Sequence, residues 1–472
     1  MLDENITFFE KQKRIYPRAV EGRYRRLKWA AIALLLGIYY ATPWLRWHRG
    51  ENLPDQAVLI DMPARRAYFF GIEIWPDEVY FITGILVLAA IGLFFATSLL
   101  GRVWCGYACP QTVWTDLFVW VEEKIQGDRN ARIRLDQQGL TFGRIWKKTL
   151  THALWIVIGL CTGGAWVFYF NDAPTLLDHI RHLDVPWSVG SWILGLTAST
   201  YLMAGYAREQ VCKYMCPYAR FQSAMFDRDT LIIGYDPGRG EPRGKHKKGT
   251  SWEGHGHCID CTQCVAVCPV GIDIRNGLQM ECIACGLCVD ACNDIMDKVD
   301  LPRGLIRYDT QRNYDARKGG NTNKSRLRIW RPRTFYYMAV LSLVSGLMIY
   351  GLIARPRMEL HASQNRNPLF VKLSDGSIRN NYLVKIFNKT HETRHFALKV
   401  RGLDTKEVSV QSAIPLDLAN LEVTGGIVAQ YRVMITAEKQ AEPRRRIEIS
   451  AREVGGKLQD AATTIFVSGD EQ

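Results

Sequence analysis

Five stretches of this chain are each about as long as a bilayer core is thick and nearly free of charge. They lie at 28–46, 79–100, 149–170, 187–207 and 334–354, and they predict five transmembrane helices. A buried core helix could look like any one of them; together they read as membrane-inserted. The third is diluted at its ends by Thr151, His152 and Asn171. No small-residue cleavage site follows the first, which therefore reads as retained rather than as a signal peptide.

Charge alternates between the spans. Lys and Arg number eight in residues 1–28, three in 48–78, eight in 101–148, one in 171–186 and twenty-one in 208–333. Basic loops stay inside. The pattern predicts a cytoplasmic N-terminus, cytoplasmic loops at 101–148 and 208–333, and a tail outside after 354. Topology thus accounts for the net charge of +13, and no nucleic-acid partner is expected.

Of thirteen cysteines, none lies in the predicted outside loops or tail. Twelve fall on the reducing side, where thiols act as metal ligands rather than disulfides. Cys161, in mid-span, reads as a small core residue. Eight form two runs of identical spacing: Cys258, Cys261, Cys264 and Cys268, then Cys282, Cys285, Cys288 and Cys292. Three ligands at every third residue wrap three corners of a cubane, and a distant segment supplies the fourth. The spacing is that of two-cluster ferredoxins, in which the fourth cysteine of each run serves the other cluster. The expected ligand sets are Cys258, Cys261, Cys264 and Cys292 for one [4Fe–4S] cluster and Cys282, Cys285, Cys288 and Cys268 for the other. Zinc also uses Cys-x2-Cys pairs, but not three at this interval plus a fourth, twice over. Pro269 follows the first run and Asn293 the second. His255 and His257 read as part of an approach loop, and 237–251 as a flexible basic linker.

Four further cysteines form a duplicated motif, Cys-x-Tyr-x-Cys-Pro: Cys105 and Cys109 before Pro110, Cys212 and Cys216 before Pro217. Each copy follows an even-numbered span, and an aromatic residue recurs nine positions past the first cysteine, Trp114 and Phe221. Internal repeats are common in membrane bundles. A spacing of four puts both thiols on one helical face, where they suit Cu(I), zinc or iron–sulfur; plain packing at a helix end is the alternative. His179 and His182 read as an ordinary interfacial pair, and Asp116, Glu122 and Glu123 as a solvated helix face.

Residues 355–472 change character to short alternating segments such as "YLVKIFNKT" and "QYRVMITAE". Some seven strands in about 110 residues predict an immunoglobulin-like β-sandwich without a disulfide. The expected organisation is a basic N-terminus at 1–27, four spans with both thiol pairs at 28–233, a two-cluster ferredoxin-like domain at 234–333, a fifth span at 334–354 and the sandwich at 355–472.

The cluster segment "CIDCTQCVAVCPVGIDIRNGLQMECIACGLCVDACN", the upstream "RRAYFFGIEIWPDEVYFITG", the paired motifs and the tail together resemble the CcoG/FixG/RdxA cytochrome oxidase accessory proteins. The resemblance implies a multi-pass protein of the bacterial cytoplasmic membrane with a periplasmic C-terminal domain. It further implies reduction of Cu(II) to Cu(I) for assembly of cbb3-type cytochrome c oxidase. Copper is then substrate, Cys105, Cys109, Cys212 and Cys216 are the catalytic thiols, and oxidase assembly factors or copper chaperones are partners beside an unknown electron donor. Two other readings stay open: a quinol-oxidising electron conduit, and a non-enzymatic assembly scaffold.

Overall fold

The computed structural model describes residues 14–50, 53–246, 251–318, 328–411, 417–440 and 442–469. Much of the predicted basic N-terminus, and residues 247–250 of the linker, lie outside the described residues. The chain divides into two compact units, Met1–Leu45 with Gln56–Met348, and Arg46–Asp55 with Ile349–Gln472.

Among the described residues, three of the five expected spans are long and apolar enough to cross a membrane: Pro76–Leu100, Phe142–Val167 and Pro332–Ala354. The other two differ from expectation for identifiable reasons. The first folds as a helix over Arg23–Ala41, taking in Arg23, Arg25, Arg26 and Lys28. Its charged end packs into the protein: Lys28 is 1% exposed and its Nζ lies 2.7 Å from Asp116. The fourth begins as a helix over Trp187–Thr200 and widens into a π-helical stretch, Tyr201–Ala207. The loop after the first span also holds a three-stranded antiparallel sheet, Val58–Asp61, Arg66–Phe69 and Ile72–Ile74, which the sequence reading missed. Cys161 is exposed, not a core residue, because it lies on the outer face of the helix Phe142–Val167.

The cysteine-rich segment is closed by an antiparallel strand pair, Leu231–Tyr235 with Ile306–Thr310, so its two ends meet. Its helix Leu287–Lys298 presents Asp290, whose carboxylate accepts from the backbone N–H of Tyr24 (3.3 Å) and Arg25 (2.8 Å). That caps the start of the first helix, where N–H groups lack intrahelical partners. The described part of 237–251 is docked rather than free. His257 N–H donates to the Arg239 carbonyl, Gly244 N–H donates to the Cys258 carbonyl, and the Arg239 Nε donates to His257 Nδ1 at 2.8 Å.

Asp116 and Glu122 form no solvated face: they are 6% and 1% exposed. The helix Pro110–Gln126 turns them inward, where Glu122 meets Arg208 (2.6 Å), Arg132 (3.1 Å) and Arg14 (3.2 Å). Burial opposes ionisation of Glu122, but the Arg208, Arg132 and Arg14 guanidiniums win and hold its carboxyl below the usual carboxylate range. His179 and His182 sit near Asp184 and Asp178 respectively, each with its own carboxylate.

The second unit is a sandwich of two antiparallel sheets. One orders its strands Thr405–Gln411, Val428–Ala437, Ile378–Asn388 and Met358–Gln364, with Val371–Lys372 at an edge; the other orders Leu421–Val423, Arg394–Arg401, Arg444–Glu453 and Gln459–Val467. Ile378–Asn388 alternates buried and intermediate residues without a break, as a strand with one face on a core must. Val384, Ile386, Phe396, Ile449 and Phe466 fill the space between the sheets. Three of the nine strands, Met358–Gln364, Val371–Lys372 and Leu421–Val423, were absent from the sequence reading.

Removing one partner of a buried ion pair leaves an uncompensated charge, at a cost of about 3–5 kcal/mol. Glu122→Gln should therefore lower the melting temperature of the purified protein. Because the folded carboxyl is depressed, its stabilisation is present above the unfolded value near ~4.3 and is lost as pH falls through the folded value. The melting difference between wild type and Glu122→Gln should shrink accordingly in acid.

Candidate metal centres

The eight cysteines of the two runs line two neighbouring cavities. One is walled by Cys258, Cys261, Cys264 and Cys292 and closed by Tyr235, Met296 and Leu305. The other is walled by Cys282, Cys285, Cys288 and Cys268 and closed by Ile233, Ile272 and Ile274, with Cys264 at its edge. The fourth cysteine of each run thus stands with the three of the other. Tight turns make this possible: Gly286 has φ +79, and an added Cβ there would come within 2.7 Å of the Tyr24 ring. Only glycine serves at such a place.

The donor chemistry fits a polynuclear metal core. Burial pushes the Cys264, Cys282 and Cys292 thiols up to about 12, and Cys288 well above its ordinary value. Thiols in such apolar pockets stay neutral unless a cationic centre draws off their protons. Backbone hydrogen bonds from Ala284, Leu287 and Ile306 already favour the thiolates of Cys282, Cys285 and Cys292. Among the described residues no three cysteine sulfurs lie within 4.8 Å of one another. One tetrahedral zinc, with Zn–S near ~2.3 Å, would draw its thiolates closer than that.

The duplicated motif folds twice in the same way. Each copy is one π-helical turn, Trp104–Ala108 and Val211–Met215, closed by the second cysteine's N–H on the carbonyl five residues back. Cys109 to Trp104 and Cys216 to Val211 both measure 2.8 Å. This replaces the regular helical face expected from the spacing. Proline restricts the residue before it to extended backbone, and Cys109 (ψ 127) and Cys216 (ψ 111) obey. Burial pushes Cys105 up to about 12, with Cys109 and Cys212 adding to the rise. Burial likewise pushes Cys212 up to about 11, with Cys109 and Cys216 adding. The two turns are thus near enough for charge on the thiols of one to bear on those of the other.

The first turn abuts the second cavity. Cys105 packs, with Cys268 and Cys288, against the buried apolar group that includes Ile283, Cys285 and Leu287. The Tyr107 hydroxyl donates to the Cys285 carbonyl at 3.0 Å, and Tyr308 donates to the Ala284 carbonyl. Arg102, 5% exposed, donates to the carbonyls of Cys282 (3.2 Å) and Ala219 (2.8 Å). Gln222, fully buried, accepts from the Cys105 thiol at 3.3 Å. Arg102 Nε and Gln222 Nε2 are buried without a hydrogen-bond partner. Two orphan donors beside these thiols are what an anionic metal–thiolate group would satisfy. The sequence reading named none of Arg102, Tyr107, Gln222 or Tyr308. Proximity to Cys105 was a signal for the first two, whereas nothing marked Gln222 or Tyr308.

Gly106 packs without a side chain against the cavity loop: a Cβ would lie 2.8 Å from the Ile283 carbonyl and 2.9 Å from that of Ala284. Gly106→Val should push this turn off the loop and lower the iron content of purified protein, while Gly139→Val, in open space, should not.

Three family models match. Residues 207–311 match a 4Fe-4S dicluster domain, 82–127 a 4Fe-4S binding domain, and 348–469 the IG-like fold at the C-terminus of FixG. The chain is 47% identical over 461 residues to the nitrogen fixation protein FixG of Rhizobium meliloti (strain 1021), covering 91% of this chain and 88% of that one. It is 49% identical to protein RdxA of Cereibacter sphaeroides (91% and 90% covered) and 50% identical to that organism's RdxB (84% of each).

Proposed function

The chain belongs to the FixG/RdxA family, and from that premise we propose that this membrane iron–sulfur protein reduces Cu(II) to Cu(I) during assembly of cbb3-type cytochrome c oxidase. In this reading the basic N-terminus and the cysteine-rich domain face the cytoplasm and the sandwich the periplasm, as the excess of Lys and Arg in residues 1–28 and 208–333 favours. Cys258, Cys261, Cys264 and Cys292 hold one [4Fe–4S] cluster; Cys282, Cys285, Cys288 and Cys268 hold the other. When bound, these clusters supply single electrons.

The observation that carries the reading is that Cys105 packs beside Cys268, Cys285 and Cys288 of the second cavity, while charge on Cys109 and Cys212 bears on Cys105 and charge on Cys109 and Cys216 on Cys212. What the chain does there follows from ligand softness. Thiolates prefer Cu(I) to Cu(II), so each copper ion that gains one electron is held in its reduced state. Arg102, whose charge acts on Cys105, Cys212 and Cys282 alike, offsets the negative charge of both thiol groups. The sandwich is the surface left for a chaperone or assembly partner.

Two measurements test this. Anaerobically reduced protein should erase the EPR signal of added Cu(II), and replacing all four motif cysteines by Ser should slow that loss at least tenfold while the eight cluster ligands stay filled. Undiminished reduction by the quadruple variant would sink the assignment. Separately, Cys292→Ser should remove the cluster of Cys258, Cys261 and Cys264 and leave the other EPR signal in place. Loss of the cluster of Cys282, Cys285 and Cys288 instead would refute the crossed ligand sets.

A further inference from the structure

A second site lies apart from the thiols, at the polar end of the span Phe142–Val167. It is a cavity of about 440 Å³, within the range of small-molecule sites, about 300–1,000 Å³. His152 and Trp155 line it from that span and Tyr206 from the π-helical end of the fourth; Glu122, Asp136 and Lys148 form its polar floor. The aromatic wall is tightly arranged. His152 and Tyr206 stack at 6.1 Å and 15°, and the Trp155 ring stands edge-on to His152 at 5.1 Å. His152 Nδ1 lies 3.0 Å from the Tyr201 hydroxyl, which lies 3.3 Å from that of Tyr206.

The charges of the cavity decide what it would take. Three of its four Lys and Arg side chains are matched by carboxylates: Arg208 and Arg14 pair with Glu122, and Lys148 pairs with Asp136 at 2.6 Å, while Arg144 donates to the Gln138 carbonyl. An anionic headgroup would have to compete with those carboxylates. A neutral aromatic ring bearing hydroxyls meets no such competition. It finds the exposed ring of Tyr206 to stack on and a His–Tyr pair to hydrogen-bond, while Trp155, 2% exposed and stacked on Phe118 at 5.0 Å, backs the wall from behind. Tyr206 is 58% exposed, so the wall opens outward on a helix whose neighbours Leu202 and Met203 are also exposed.

We propose that this cavity binds and oxidises a membrane quinol, and that it is where electrons enter the protein. With Nδ1–H of His152 donating to Tyr201, Nε2 is the acceptor for a quinol hydroxyl. Oxidation breaks two O–H bonds and forms two C=O bonds. One proton goes to His152 and one to water at the mouth beside Arg14 and Asp136. The two electrons go one to each of the two [4Fe–4S] centres assigned above. Glu209, which lines the cavity, stands three residues before Cys212, and its charge bears on that thiol. This inference uses the cluster assignment above but not the copper reading.

The test uses the full chain, cluster-loaded, in nanodiscs of neutral lipid with decylubiquinol as probe. Decylubiquinol should bind saturably by calorimetry and reduce the clusters anaerobically. His152→Ala and Tyr206→Ala should each weaken binding at least tenfold, with dithionite-reduced cluster spectra unchanged. Tyr206, being exposed, keeps the test decisive if His152→Ala misfolds. The quadruple motif-Cys→Ser variant, whatever its copper reduction, should still be reduced by decylubiquinol. No saturable binding overturns the proposal, and so does binding without cluster reduction. Reduction untouched by both variants, or binding of phosphatidylglycerol that decylubiquinol does not displace, would equally overturn it.

Discussion

The meeting of Glu122 with Arg208 is the contact on which the rest of the helical unit depends. Glu122 sits on the helix that begins at Pro110, just past the first thiol pair; Arg208 lies four residues before Cys212, in the second. Both side chains are almost fully buried at their 2.6 Å contact. A lone buried carboxylate would be costly, and so would a lone guanidinium, so neither repeat is stable turned away from the other. Arg132 and Arg14 complete the shell around the carboxylate. The same contact that stitches the repeats together therefore brings their two thiol pairs near one another and forms part of the floor of the adjoining cavity.

A second constraint is the burial of thiols. Cys282, Cys285 and Cys288 lie where neither water nor enough protein dipole can support a negative sulfur. The chain supplies a few backbone N–H groups and the Arg102 guanidinium, which is short of what several thiolates require. The deficit is positive charge, and a metal core provides it. Arg102 also explains how two thiol groups can lie so close: one buried cation serves both, and its Nη1 is fixed on the Cys282 carbonyl.

Much of this was legible from residue types at fixed spacing. The spacing of the two runs named the cysteines that line each cavity: three come from one run because they recur at every third residue, and the fourth was expected from the pattern of two-cluster ferredoxins. The sandwich was visible in the period-two pattern of segments such as Ile378–Asn388, although the short strand Leu421–Val423 carries too few residues to show a period. What hydropathy misread were the places where tertiary charge pairing wins. Lys28 looked like the flank of a span, yet it is buried on Asp116. Asp116 and Glu122 looked like a wet helix face because their cationic partners are far away in sequence, 88 residues for Lys28 and 86 for Arg208. The aromatic cavity was invisible for the same reason: His152 was read as a blemish in a span, and its partner Tyr201 is 49 residues distant.

The duplication shows where the two halves diverged. Both even-numbered spans end in an unusual backbone conformation, Gly101 at φ 61 and ψ −128, Arg208 at φ 39 and ψ −114. Each stands four residues before the first cysteine of its motif. Glycine adopts this region freely, and at 101 it is also required by space, since a Cβ would lie 2.3 Å from the Leu231 carbonyl. An arginine there bears a backbone cost of order 1–3 kcal/mol. The position aims the guanidinium at Glu122, 2.6 Å away, and losing it would leave that carboxylate short of a buried partner. One repeat thus ends in a residue chosen for close packing against the strand at Leu231. The other ends in a residue chosen for charge, and it is on that charged side that the aromatic cavity opens.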